Sequence, residues 1–434
     1  MTVLAFDFGS SSVKAAVFKN GRVLGDIVHG SYKTHFDGIR AEVDPHAVLK
    51  SIRTVVDDLG RPAKNVDHIA IDVMAPSWVA MDKTGKPLTP IVTHQDRRSV
   101  DIAHQIEKTV GKAKHLKITG NRPFPGGISS TTWAWFTQNE PGLMQKADLV
   151  GHLSTMLLRT LTGARVTDPS NASFTGVFNT ITLAGWNHDL CKAISVNPKL
   201  LPEIHDGNTI AGRVTPTAAA RFGLTAGTPV MTGLMDTSAA VMLRGAAHGL
   251  LLNVCGSTDV LAVCTDHPRP NANLLTRAVG IGRKWMHVST IAAAGSSLNW
   301  AHRELFGDLT DEKFFTLVRK LGKAGNRSPV RFEPYLAGSR TAMESKTAAF
   351  AGLSLATTRD DLLAAIVDTM AVTSAARLAL LRETGTALHH DVLISGGLIR
   401  DLGPVLHRDW GRGWKFHAVA EATLKGLGTL KPAG

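Results

Sequence analysis

The residues best suited to chemistry lie in two short clusters of glycine and small hydroxyl side chains. The first is Asp7-Phe8-Gly9-Ser10-Ser11-Ser12-Val13-Lys14, and the second is Gly256-Ser257-Thr258. Apolar runs flank both, Val3 to Phe8 and Val13 to Phe18 around the first, Leu251 to Cys255 and Val260 to Cys264 around the second. Each cluster therefore reads as a turn between two strands. Such a loop can hold phosphate, because successive backbone N–H groups form a concave nest and the serines and Lys14 add donors. Asp7, at a strand end, can organise Mg²⁺ through water, since that ion keeps much of its hydration. From these residues alone, a plain hairpin with a polar tip explains the first cluster equally well. A P-loop would join strand to helix and end in Gly-Lys-Ser/Thr, and no such sequence occurs. Asp236 closes Gly233-Leu234-Met235-Asp236 after the apolar strand Val230 to Thr232, where a carboxylate can also serve as a helix N-cap. Gly396-Gly397 follows the apolar strand Val392 to Ser395. Paired glycines there permit a flat ligand such as adenine to approach the backbone, and a simple strand-to-helix turn is the alternative.

These residues must be positioned by alternating strands and helices. Lys19-Asn20-Gly21 and Val23 to Val28 extend the first hairpin into a three-stranded meander. Pro45 to Leu59 carries Val48, Leu49, Ile52, Val55, Val56 and Leu59 at helical spacing and stops at Gly60. His68 to Met74 alternates Ile69, Ile71 and Val73, a strand pattern, and Ala218 to Phe222 is a short helix ended by Gly223. Thr358 to Asp361 has the form of a capping box, opening a helix whose Leu362, Leu363, Ile366, Val367 and Met370 form a core stripe. Two hairpins of one design predict two related domains facing one nucleotide, residues 1–245 and 246–434, divided between Arg244 and Gly249.

Two domains also suit a chain of 434 residues. Hydrophobic residues make up 44% and charged residues 19%, a globular composition. The net charge of +12 comes without a basic run interleaved with aromatics. It reads as a solvated surface that also favours anionic nucleotides, and not as a nucleic-acid footprint. Three cysteines without a CxxC pair argue against both a disulfide framework and a zinc site. Asp7 interrupts the N-terminus before a signal-like segment develops, and no apolar stretch is judged long enough to span a bilayer. A reduced cytoplasm is expected.

With these motifs in order, the chain resembles the FGGY carbohydrate kinase family of the actin/Hsp70-type ATPase superfamily, in its xylulose- and rhamnulose-kinase-like branches. The likeness runs nearly end to end. It takes in the first loop, Asp82 to Gly85 with Gln95-Asp96-Arg97-Arg98, Val166 to Ser173, Leu201-Pro202-Glu203 through Gly212, and Gly223 to Asp236. One family signature matches Gly127 to Asn139, with Trp133 and Trp135 in place and Thr132 where lysine is usual. A second matches Ala348 through Gly352-Leu353 to Asp361-Leu362 and Asp368 without departure.

The resemblance implies an α/β fold of two actin-like (ribonuclease H-like) domains, each a mixed sheet flanked by helices, with a cleft between them. It implies ATP and Mg²⁺, and a small sugar or polyol as acceptor. Asp236 resembles the catalytic base and Asp7 the carboxylate near Mg²⁺. Ser10, Ser11, Ser12 and Lys14 resemble the phosphate contacts of the first loop, and Gly256, Ser257 and Thr258 those of the second. Gly295 and Asn299 match nucleotide-contacting positions, and Gly397 and Asp401 match positions beside adenosine. The polar pair that contacts substrate in the glycerol and xylulose branches aligns with Ala75-Pro76, and the tyrosine of glycerol kinases with Gly127. Glycerol is therefore disfavoured. Asp236-Thr237-Ser238-Ala239-Ala240 is similar to the rhamnulose kinase branch. A ketose such as a xylulose-like pentulose is the first expectation, with Asp72, Ala75, Pro76, Trp78 and Arg97 as its local contacts. The family continues beyond Gly426-Leu427-Gly428 with a longer helical end, which predicts weaker nucleotide affinity here. The alternative is an ATP-binding sensor or pseudokinase without sugar turnover, against which the retention of Asp236, Asp7 and both loops argues. No membrane partner is expected, and a homodimer is compatible with the sequence.

Overall fold

The first meander folds as its turns dictate. Thr2–Phe8 pairs antiparallel with Ser12–Lys19, setting Phe8 opposite Val13 and Asp7 opposite Lys14, and Arg22–Ser31 adds the third strand. On the other side of Thr2–Phe8, His68–Val73 runs parallel and places Asp72 beside Asp7. All of His68–Val73 is buried, as a parallel strand covered on both faces must be. The alternation of Ile69, Ile71 and Val73 gave no sign that His68 and Asp72 are buried with them. The computed structural model describes residues 1–325 and 328–433, without the side chains of Arg400 and Asp401. The expected contact of Asp401 with adenosine thus lies outside the described residues.

The second hairpin repeats the first. Leu251–Cys255 pairs antiparallel with Asp259–Thr265, Trp285–Ile291 follows antiparallel, and Asp391–Ser395 lies parallel on the opposite side. Each half thus has a mixed sheet with a hairpin at its centre, seven strands in the first and six in the second. A separate five-stranded sheet in the first half contains Ser77–Met81 and Leu149–His152. No turn pattern in the sequence announced it.

Helices cover the sheets where periodicity placed them. Pro45–Leu59 is capped by Asp44, ends at Gly60 and buries Val48, Leu49, Ile52, Val55 and Val56 on the first sheet. Arg359–Arg382 opens with the full Thr358/Asp361 capping box and buries Leu363, Ile366, Val367 and Met370. Leu362 is partly buried at the edge of that cluster. This helix is long and apolar enough to cross a membrane by length and composition, which corrects the expectation that no such stretch exists. Its apolar window is 56% buried inside the protein, the pattern of a core helix.

The two halves share a core beneath the cleft, where Ala75, Phe174 and Met235 meet Leu252, Leu275 and Met286. The last helix, Ala422–Thr429, returns to the first sheet, setting Leu424 and Leu427 against Val3, Ala5 and Phe18. It also crosses the short helix Asp236–Met242 so closely that a Cβ on Gly426 would sit 1.8 Å from the Ala239 carbonyl oxygen. Alanine at Gly426 gains up to ~1 kcal/mol of helix propensity but forces backbone apart, at about 1–3 kcal/mol. The close approach decides the sign. Gly426→Ala is expected to lower the unfolding midpoint and, by displacing the helix that begins at Asp236, to cut turnover by roughly 10- to 100-fold. Steady-state kinetics beside a denaturation curve checks both. Unchanged turnover would show that the helix tolerates the shift.

Candidate active site

The two hairpin tips and Asp236 meet on one cavity of about 210 Å³ between the halves of the molecule. Gly9 and Ser10 of the first tip and Ser257 and Thr258 of the second line it. Each tip closes on its own backbone and has its carbonyls held by a neighbouring segment. In the first, Gly9 N–H donates to Ser12 O (2.9 Å), the Tyr32 hydroxyl donates to Gly9 O (2.6 Å), Thr34 donates to Ser10 O (2.8 Å) and Tyr32 N–H donates to Ser11 O (3.0 Å). In the second, Gly256 N–H donates to Thr258 O (2.9 Å), Gly295 N–H to Gly256 O (3.1 Å), and Ala294 and Ser296 N–H to Ser257 O (3.0 and 3.1 Å). The carbonyls are thus tied back. The amides of Ser10, Ser11, Ser257 and Thr258 have no acceptor among the described residues. Free amides converging on a cleft are what an anionic ligand requires.

Glycine at 396 has a packing reason. Its φ is +105° and a Cβ would lie 2.0 Å from Cys255 O, so the turn after Asp391–Ser395 presses against the second hairpin. Gly397 faces open space instead. Gly295 is buried under the second tip, where a Cβ would meet Gly256 O at 2.5 Å, and Asn299 is exposed one turn further along the helix Gly295–Leu305. Lys14 is not free: its Nζ donates to Glu421 Oε2 at 2.6 Å. Glu421 sits at the start of the terminal helix with φ +52°. Being far from the first loop in sequence, it could not be found from that loop's motif.

Three carboxyls gather below the first tip. Asp7 and Asp72 are register neighbours on parallel strands, and no donor of another residue reaches either Asp72 oxygen. Burial pushes the Asp72 carboxyl well above its ordinary range, with the charges of Asp7 and Asp236 adding to the effect. Of the pair, Asp72 is the carboxyl driven further toward its protonated form. Burial raises Asp7 to about 6, opposed by a hydrogen bond from Asp72 and assisted by the charge of Asp236. Among the described residues, no group of three or more His, Cys, Asp or Glu could hold a metal alone. What fits is a hydrated cation carried by a polyphosphate, beside Asp7.

The raised Asp7 has a consequence for stability. A carboxyl whose folded pKa lies above its unfolded one binds more protons when folded, so stability falls as pH rises through the interval. For Asp7 the interval runs from 3.8 to about 6. At about 1.4 kcal/mol per tenfold change in proton affinity, the penalty above it is roughly 3 kcal/mol. Asp7→Asn is therefore expected to stabilise the nucleotide-free protein at about pH 7.5, the gain vanishing near pH 4. Urea denaturation across that range measures it. A destabilised variant at the higher pH would mean that the Asp7 carboxylate is favourably paired in the fold.

Asp236 begins the short helix Asp236–Met242. Its Oδ1 accepts from Thr237 N–H (2.5 Å) and Thr237 Oγ1 (2.8 Å), and its Oδ2 makes no hydrogen bond among the described residues. The preceding backbone is braced from the segment Val166 to Ser173: Met235 N–H donates to Ser170 Oγ at 3.0 Å, and Ser170 in turn is held by the buried Asp168. The same segment holds the strand Leu275–Ala278 through Ala278 N–H, which donates to Ser173 Oγ at 3.0 Å.

Of the expected substrate contacts, only Ala75 lines the cavity. Pro76 is buried next to it. Asp72 lies beneath Asp7 and is fully buried, so it supports the floor and is not a wall residue. Trp78 is buried against Phe136, with ring centroids 5.0 Å apart, beside a separate void of about 10 Å³. That void has room for at most a water molecule. Arg97 is spent on the carbonyls of His94, Asp96, Pro125 and Ser339. The walls are formed instead by residues that sequence reading did not single out: His94, Thr290, Arg277 and Arg340. Burial, followed by the charges of Arg340 and Arg97, holds the His94 imidazole well below its usual range, so it is neutral.

Two repeated mixed sheets, each turning a phosphate-sized hairpin toward a shared cleft, are the architecture of the actin-like ATPase fold. The sequence matches the FGGY family of carbohydrate kinases, N-terminal domain, over residues 2–242 and C-terminal domain over residues 251–402. The chain belongs to this family, whose members are phosphotransferases with an alcohol group as acceptor. It is 25% identical over 415 residues to a xylulose kinase of Bacillus subtilis (strain 168), covering 92% of this chain and 81% of the relative. A glycerol kinase of Chelativorans sp. (strain BNC1) is 28% identical over 322 residues, covering 69% of this chain and 62% of the relative. The crystal structure of xylulose kinase from Rhodospirillum rubrum superposes with a TM-score of 0.85 at 23% identity, covering 99% of this chain and 88% of that one.

Proposed function

We propose that this carbohydrate kinase moves the γ-phosphoryl group of ATP to a hydroxyl of a small polyhydroxylated substrate, with Asp236 as general base. The observation that carries the reading is the convergence of Asp236 and both hairpin tips on one cavity. Bound Mg-ATP supplies the transferable group and much of the charge neutralisation. The chain's part is positioning. The amides of Ser10, Ser11, Ser257 and Thr258, with Ser12 and Gly256 shaping the turns, hold phosphate oxygens. Lys14 stands behind the first tip in its pair with Glu421, and Asp7 orients the hydrated cation. Gly295, Asn299 and Gly397 flank the nucleotide on the side of the second half, with residues 1–245 and 246–434 as the two domains that close on it. Asp236 Oδ2 accepts the proton of the attacking hydroxyl as its oxygen bonds to phosphorus and the bridging bond to ADP breaks. The reading places the enzyme in the cytoplasm.

A cavity of about 210 Å³ is smaller than the roughly 300–1,000 Å³ of drug-sized sites, which favours an acceptor of a few carbons. The pentulose skeleton of the xylulose kinase relative is the starting candidate. ADP release with Mg-ATP across ketoses, polyols and aldonates tests the reading. Turnover that depends on one acceptor supports it. ATP binding without turnover on any acceptor would instead identify a nucleotide-binding sensor.

A further inference from the structure

The cavity wall facing Asp236 carries more positive charge than a neutral sugar needs. Arg277 lies on the strand Leu275–Ala278 and is only 4% exposed. Its Nε and Nη2 are buried without a hydrogen-bond partner, and its guanidinium stands over the Phe174 ring at 5.5 Å. Arg340 lines the same cavity from the loop opposite, and its Nε is likewise buried and unpartnered. Neither guanidinium makes a hydrogen bond or an ion pair among the described residues. The half-buried Arg97 spends its donors on carbonyls, and the buried Arg377 pairs with Asp259 and leaves only its Nε without a partner. Burial draws Arg277 and Arg340 down to about 10, and the charge of Asp236 opposes this in both. Both therefore remain cations at neutral pH. Asp236 attracts them without bonding to either, so two cations share one carboxylate on this side of the cleft.

A buried unpaired guanidinium is costly unless a ligand compensates it. The phosphates of a nucleotide are poorly placed to do so for Arg277. Its backbone lies opposite Met286 and, across the sheet, Cys264, five residues along the strand from Asp259 at the second hairpin tip. At ~3.4 Å per residue the Arg277 backbone is set back about 17 Å from the tip along the strand direction, and only its side chain reaches the cavity. The neighbours of Arg277 on the wall are Leu275 and Val288, and Ala75 and His94 stand on the opposite half, the part of the cavity left for the acceptor. A planar guanidinium with two free donors matches a carboxylate in bidentate geometry.

Resting on the kinase reading above, we infer that the acceptor is a sugar acid, whose carboxylate is held by Arg277 and Arg340 while a hydroxyl elsewhere on the chain reaches Asp236. Arg277 and Arg340 set specificity, and the neutral His94 and Thr290 are left to meet hydroxyls. The proposal replaces the plain pentulose with an aldonate or keto-aldonate of similar length.

The test compares matched acceptors of four to six carbons, differing only in a terminal carboxylate or hydroxymethyl group. The acid is expected to exceed the corresponding ketose and alditol in kcat/KM by roughly 30- to 1,000-fold, the range for a buried charge pair against an unpaired one. Arg277→Met and Arg340→Met should each remove most of that advantage, chiefly through the acceptor KM, with the KM for ATP unchanged. Arg277→Lys should restore part of it. Calorimetric binding of the same acids and sugars to Asp236→Asn reads acceptor affinity without turnover. Acids that bind Asp236→Asn and lose affinity in the arginine variants, without turnover by the wild type, would uphold the carboxylate site and refute the kinase reading. Equal or better turnover of the neutral sugars would overturn the sugar-acid assignment and leave the kinase reading intact. A preference for sugar phosphates over acids would overturn it as well.

Discussion

Asp236→Asn should lower kcat by about 10²- to 10⁴-fold, the usual contribution of a positioned general base, while leaving ATP binding unchanged. The substitution keeps the shape of the side chain and its oxygen for Thr237, which donates from both N–H and Oγ1. The capacity to take up a proton is lost, together with the negative charge that faces Arg277 and Arg340. The brace from Ser170 to Met235 N–H does not involve the altered group, so the backbone is expected to stay in place. Calorimetric titration with Mg-ATP, beside steady-state rates, separates lost chemistry from lost structure. Comparable losses in nucleotide affinity and rate would assign Asp236 a structural role as the first residue of its helix.

Replacement of Arg377 should produce the largest loss of stability. Arg377 is 5% exposed and is paired with Asp259, which is fully buried. It also donates to the Asp259 and Ser289 carbonyls at 3.2 and 3.4 Å, while Asn253 Nδ2 donates to Asp259 Oδ1 at 2.5 Å. Asp259 follows Thr258 directly, so this pair anchors the second hairpin tip to the long helix Arg359–Arg382. Removing one partner leaves an uncompensated buried charge, at about 3–5 kcal/mol. Arg377→Met is thus expected to lower the unfolding free energy by that amount, with a matching fall in the denaturation midpoint, and to raise the KM for ATP through a loosened tip. The double variant Arg377→Met/Asp259→Leu should recover much of the stability, because no charge is left stranded. An unchanged midpoint in the single variant would show that the pair contributes nothing net to the fold.

Much of the scaffold was legible because it rests on local chemistry. The Gly/Ser turns, the Gly60 stop and the Thr358/Asp361 capping box are short-range devices, and each folds as its residues require. The repeated hairpin design foretold two related sheets. The cavity walls were not legible to the same degree. Arg277 and Arg340 lie far apart in sequence, and neither belongs to a motif. Only the pairing of Leu275–Ala278 with Trp285–Ile291 brings Arg277 to the cleft. Trp78 and Arg97 show the opposite error. Proximity in sequence to Ala75-Pro76 made them candidates, but pleating turns Trp78 into the core, and Arg97 is taken up by four carbonyls. One signal was available in advance: isolated arginines inside apolar strands, as in Leu274-Leu275-Thr276-Arg277-Ala278, are costly to bury and point to a ligand.

The most direct test of the central claim follows γ-labelled phosphate from ATP to acceptor, in wild type and in Asp236→Asn. Label should move to the acceptor in the wild type at least about 100-fold faster than in Asp236→Asn, and ADP should form only when an acceptor is present. ADP formation at the same rate without acceptor, or label transfer unimpaired in Asp236→Asn, would contradict Asp236 as the base of a carbohydrate kinase.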